Sequence, residues 1–167
     1  MRQARYGHVR EMARQIVKEH GFKQPPVLPE AIAKAERLEV LKVMTWPDAL
    51  SGLLLRESRR IGINGNHARV RQRFSLAHEL GHWFLRHDLP WLERDVTIDE
   101  PPELGAENER YQAQESEANE FAGELLAPRE MLKAGLRTNR DINKLSQYFD
   151  MSAEALWVRV LRHNLLT

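Results

Sequence analysis

The stretch Arg73-Phe74-Ser75-Leu76-Ala77-His78-Glu79-Leu80-Gly81-His82-Trp83-Phe84-Leu85 sets two histidines and a glutamate into an otherwise apolar run. On a helix, four positions amount to one turn plus about 40°, so His78 and His82 share a face and both imidazoles reach one ion at about 2 Å. Glu79 points beside them. In a chain of this composition the pattern arises by accident about 0.03 times. Two core histidines hydrogen-bonded to carbonyls are the structural alternative, but the helix is apolar nearly all round and an unpaired imidazole there is costly. A shared metal removes that difficulty. Gly81 costs about 1 kcal/mol relative to alanine inside a helix, which close approach by another element, or a simple packing notch, explains.

The 167 residues, 42% hydrophobic and 29% charged, fit one globular domain and contain no apolar run able to span a membrane. The N-terminus lacks the uninterrupted apolar core of a secretory signal, so the expected location is the cytoplasm. Without cysteine, any metal site is built from His, Asp and Glu. The net charge of +1 divides as +8 over residues 1–73, −10 over 74–130 and +3 over 131–167. A basic first part suits acidic partners, but basic helix faces are usually only solvated, and direct nucleic-acid binding is not expected.

Outward from the motif, the pattern predicts one α+β domain, helix-rich and zincin-like, with a small three-stranded antiparallel sheet. Val9, Met12, Ala13, Ile16 and Val17 mark an amphipathic helix over 2–20 that Gly21 stops. The Pro-Pro-Val linker follows, and Pro29 opens a short helix. Residues 38–45, 50–56 and 60–64 read as the strands. The motif helix runs from about His67 to Arg86. Residues 88–106, with three prolines and many carboxylates, predict a mobile loop. A second long helix spans about Glu107 to Ala127, ended by Pro128, and two or three short helices finish the chain. N-terminal helices and sheet (1–65), two metal-site helices (66–128) and C-terminal helices (129–167) make up the expected domain. Ser152 is the expected cap of a terminal helix pair that resembles a helix-turn-helix in pattern but reads better as packing helices.

His-Glu-x-x-His is the arrangement of zinc peptidases, in which the glutamate takes a proton from the water that the metal activates. A catalytic zinc needs a third protein ligand and an open position. The extended metzincin pattern requires glycine at 85 and histidine at 88, where this chain has Leu85 and Asp88. A glutamate of the following helix is the usual solution. Tyr111, Glu115, Ala118, Ala122 and Leu125 share one stripe, whereas Glu117, Glu120 and Glu124 form a separate acidic one expected to face water. Glu115 is therefore the expected third ligand and Glu117 the fallback. Asn119, one turn on, is placed to hydrogen-bond the outer nitrogen of a ligating histidine. Two imidazoles and a carboxylate take Zn²⁺, and also accept Mn²⁺, Fe²⁺ or Co²⁺.

Taken together, the Pro-Pro-Val linker, Leu50-Ser51-Gly52-Leu53-Leu54-Leu55, the run from Arg71 to His82, and Glu115-x-x-Ala118-Asn119-x-Phe121-Ala122-x-x-Leu125-Leu126-x-Pro128 resemble the ImmA/IrrE family of bacterial zinc metallopeptidases. The resemblance implies His78, His82 and Glu115 as ligands and Glu79 as general base. It also implies substrates that are helix-turn-helix transcriptional repressors, often encoded nearby in mobile elements or stress operons. Many relatives carry methionine where Ala127 stands, and a histidine four residues after the second ligand, where this chain has Arg86 followed by His87. With neither a fused N-terminal DNA-binding domain nor a long C-terminal sensor extension expected, regulation comes from elsewhere.

The expected mechanism is peptide hydrolysis, with Glu79 moving a proton from water to the leaving amine. The strand at 50–56 is a candidate edge for the substrate to join. Tyr111, His87 and Arg73 are candidate oxyanion donors. Two other classes compete: a binding module that grips a repressor or toxin partner around a structural zinc, and a transcription factor. Glu79 discriminates against the first, since a structural zinc site has no use for it.

Overall fold

The computed structural model describes residues 5–88, 97–99 and 109–166. Apart from Asp88 and residues 97–99, the connection expected over 88–106 lies outside them. The order is α1 (Tyr6–Glu19), α2 (Pro29–Ala35), β1 (Glu39–Val43), β2 (Gly52–Leu55), β3 (Arg60–Asn64), α3 (Arg69–Phe84), α4 (Glu109–Leu126), α5 (Arg129–Thr138), α6 (Ile142–Phe149) and α7 (Ala153–Arg162).

Helix α1 buries Val9, Ala13, Ile16 and Val17, the apolar stripe of its sequence. It ends because Gly21 adopts φ of 73°, letting the Gly21 and Phe22 N–H groups close onto the Lys18 and Val17 carbonyls. Pro29 occupies the first turn of α2, where no N–H is needed. At the far end, the Ser152 hydroxyl accepts from the Ala155 N–H and caps α7. Helices α6 and α7 bury Leu145, Phe149, Leu156 and Val160 in the common core.

The sheet is mixed, not antiparallel as expected. Its order is β1-β3-β2; β1 pairs parallel with β3 (Glu39 beside Arg60, Val43 beside Asn64) and β2 pairs antiparallel (Gly52 beside Ile63, Leu55 beside Arg60). The short turn after Leu55 forces a hairpin with β3, whereas the longer link over residues 44–51 carries the chain past β3 to the other edge. Alternation of side chains has the same period in both directions, so it cannot reveal strand polarity. In that link Trp46 packs over Gly62 and donates its indole N–H to the Ile98 carbonyl at 2.9 Å.

Helix α3 contacts β2 and β3 on one side and α4 on another, while α1 packs across α4. Gly81 lets α3 and α4 meet: a Cβ there would stand 3.1 Å from the Ala118 Cα and 3.2 Å from its carbonyl oxygen. The motif helix is thereby held against both the sheet edge and the helix that carries the glutamates. Among the described residues, no helix is long and apolar enough to cross a membrane.

Candidate metal centre

Facing turns of α3 and α4 bring His78, His82 and Glu115 together. The two Nε2 atoms are 3.0 Å apart; Glu115 Oε2 is 3.2 Å from His78 Nε2 and Oε1 is 3.0 Å from His82 Nε2. Donors each about 2 Å from one tetrahedral ion sit about 3.3 Å from one another. The trio therefore fits a single divalent cation. His82 is almost fully buried, whereas His78 and Glu115 keep 15% and 30% of their side-chain surface, so the site opens on one side only. That side is a cleft of about 340 Å³ between β2 and the two helices.

Burial pulls the His82 ring down to about 4, offset in part by its contact with Glu115, so His82 presents a neutral ring as a metal ligand must. Burial also lowers the His78 ring, but Glu115 and Glu79 outweigh it and the net shift is upward. Glu115 is resisted by burial, yet the two imidazoles hold it far below the usual carboxylate range. A carboxylate held ionised by hydrogen bonds from two imidazoles is ready to ligate.

Glu79 lies beside the trio, buried against β2. Burial pushes its carboxyl up to about 7, which His78 and the Leu54 N–H oppose and Glu115 reinforces. Its Oε2 is buried without a hydrogen-bond partner among the described residues. Gly52 creates the room, since a Cβ there would stand 2.7 Å from Glu79 Oε1. An orphaned buried oxygen next to a cation site is placed for a polar guest such as water.

The model of the peptidase family described as the IrrE N-terminal-like domain matches residues 37–161. The chain belongs to this family. The family is one of peptidases, and the fold is shared by a Mycobacterium tuberculosis transcriptional regulator at TM-score 0.64 and 19% identity. That likeness covers 92% of this chain and 46% of the regulator, so the chain spans less than half of its length. No curated protein matches the sequence.

In this member of the IrrE-like family, Asn119 is exposed and its Oδ1 lies 2.9 Å from His78 Nδ1, the nitrogen turned away from the trio. Glu117, the fallback ligand, does not reach the imidazole pair. Nor does it face water: Glu117, Glu120 and Glu124 are all buried. The reason is α1 and the residue before it: Arg5, Arg10 and Arg14 lie over this stripe at 3.2, 2.7 and 3.8 Å from Glu117, Glu120 and Glu124, while Arg159 and Arg162 of α7 close it from another side. Part of the uneven charge of the sequence is thus pairing between its basic start and acidic middle. Sequence periodicity shows which residues share a face, not which element covers it.

Two oxyanion candidates also fall away. Arg73 is buried, its guanidinium donating to the Val27 carbonyl at 2.8 Å and the Asp150 carbonyl at 3.0 Å. His87 sits behind His82, with its Nδ1 2.8 Å from His82 Nδ1. Tyr111 does line the cleft. So does Arg71, which in the sequence reads only as part of the run from Arg71 to His82, with no role of its own; its Nη2 is 3.3 Å from Ser51 Oγ on the opposite wall.

Proposed function

We propose that this chain is a zinc-dependent endopeptidase of the His-Glu-x-x-His type that cleaves a protein substrate, a helix-turn-helix repressor, as a regulatory switch. His78, His82 and Glu115 are its ligands. The observation that carries the reading is the convergence of these three donors at about 3 Å on one side of a cleft whose wall holds the buried Glu79. When bound, the ion supplies Lewis acidity, lowering the pKa of water and polarising a carbonyl. Manganese, iron and cobalt suit the same donors.

Glu79 accepts the proton of the attacking water and later delivers it to the leaving amine. Burial raises the Glu79 carboxyl above the ordinary carboxylate range, which favours its taking up a proton at this wall of the cleft. Gly52 lets Glu79 lie close to β2, and β2 stands at the sheet edge along the cleft, where an extended substrate can pair as an added strand. Tyr111 and Arg71, both lining the cleft, are the donors available to a developing oxyanion. Asn119 fixes the His78 ring by accepting from its outer nitrogen. A repressor substrate implies a cytoplasmic place of action.

A zinc-stabilised binding module is the rival, and Glu79 weighs against it. The test incubates wild type and Glu79→Gln with the regulator encoded beside the gene, reads fragments by mass spectrometry, and measures bound zinc in both. We expect fragments from wild type only, with zinc retained by both proteins. Equal fragmentation would remove Glu79 as base, and a regulator bound but uncut by wild type would favour the binding module.

A further inference from the structure

Behind His82 a row of buried groups leads away from the cleft. His82 turns Nε2 toward His78 and Glu115, and its Nδ1 lies 2.8 Å from His87 Nδ1. His87 Nε2 in turn lies 3.0 Å from Glu117 Oε2. Glu117 accepts from the Arg5 backbone N–H at 2.9 Å and from the Nε and Nη2 of its guanidinium, each at 3.2 Å. His82, His87 and Glu117 are 1%, 3% and 5% exposed, so water does not substitute for any of these contacts.

Backbone geometry builds the row. Arg86 adopts φ of 52° after α3, and the His87 N–H folds back onto the His82 carbonyl at 3.1 Å. This turn sets the His87 ring under His82. Glu117 follows Glu115 by two positions on α4, so its side chain leaves the helix on a different face, toward His87 and α1.

Two ring nitrogens facing each other at 2.8 Å make a hydrogen bond only if one carries a proton and the other a lone pair. Ligation through Nε2 uses that lone pair of His82 and leaves its proton on Nδ1. His82 then donates to His87 Nδ1, the His87 proton sits on Nε2, and this donates to the Glu117 carboxylate. Each donor meets an acceptor and the row runs one way only.

We propose that His87 and Glu117, anchored by Arg5, are positioning residues that fix the ring orientation and tautomer of His82 and strengthen its hold on the metal. This inference rests on the ligand set given under Proposed function. It assigns His87 and Glu117 roles unlike those read from sequence, as oxyanion donor and as reserve ligand. It also ties the metal centre to Arg5, which precedes α1 and lies outside the matched residues 37–161.

The test measures zinc affinity of the full chain by competition with a chromogenic chelator. His87→Leu should bind zinc about 10–100-fold more weakly than wild type. His87→Gln, whose amide offers an acceptor toward His82 and a donor toward Glu117, should recover most of the loss, and Arg5→Ala should show a smaller loss of several-fold. A long-range ¹H–¹⁵N spectrum of the zinc-loaded wild type should show His87 protonated on Nε2 and bare on Nδ1, a readout that needs no variant to fold. Unchanged affinity in His87→Leu, or a proton on Nδ1 of His87, overturns the relay while leaving the metal centre standing. Failure of wild type to bind zinc removes the metal centre itself, and the relay with it.

Discussion

Glu79 and Gly52 show how one residue's chemistry depends on another's missing atom. Glu79 is 5% exposed and lies against β2, where only glycine leaves space for its carboxylate. Gly52→Ala brings a methyl group to 2.7 Å from Oε1 and must displace the carboxylate from the cleft wall. Misplacing a catalytic group by about 1 Å costs up to about 100-fold. We expect Gly52→Ala to lower kcat by about 10–100-fold while zinc content stays at the wild-type level, measured on the same fragmentation reaction. A variant with full activity would mean that Glu79 does not act from this position. The motif itself was legible because all its members lie within one turn and a half of one helix. The role of Gly52 was not, since it depends on a strand 27 residues distant in the chain.

Among the elements, the contact of α3 with α4 decides whether a site exists. It passes through Gly81, which faces the Ala118 backbone and the Phe121 Cβ at 3.1 to 3.2 Å once a Cβ is added. Alanine gains about 1 kcal/mol of helix propensity at such a position, but overpacking typically costs about 1–3 kcal/mol. Gly81→Ala should therefore lose about 1 kcal/mol in urea unfolding and bind zinc more weakly, because moving α3 from α4 pulls the imidazoles from Glu115. Unfolding at a higher urea concentration than wild type would show that the helices have slack there. Helical phase separated Glu115 from Glu117, and Glu115 is the one that reaches the histidines, although the Glu117 stripe is buried under α1 and not turned to water as expected. Strand polarity lay beyond such reading, because the parallel pairing of β1 with β3 depends on the path of the 44–51 link.

At the scale of the whole molecule, charge that looked like a surface property turns out to be interior. Glu120 is 1% exposed and Arg159 3%, and Arg10 and Arg162 complete the group around Glu120. Burial disfavours the Glu120 carboxylate, but Arg10 and Arg159 overcome it and draw it down to about 2 from the ordinary 4.5. The stabilisation it brings is complete above about pH 4.5 and is lost as the pH falls toward about 2. Thermal melts should show wild type losing Tm more steeply over that acid range than Glu120→Gln, with the difference between the two narrowing as the pH falls. Parallel curves would mean that the carboxylate is not held by its arginines. The sequence alone determined the helices, the facing histidines with their glutamate, and the phase that separates Glu115 from Glu117, because each follows from the fixed rise and turn of a helix. Only tertiary structure decided the direction of β1, the burial of the acidic stripe and the place of His87 behind His82. Those depend on which element covers which face, and that is settled by packing between residues far apart along the chain.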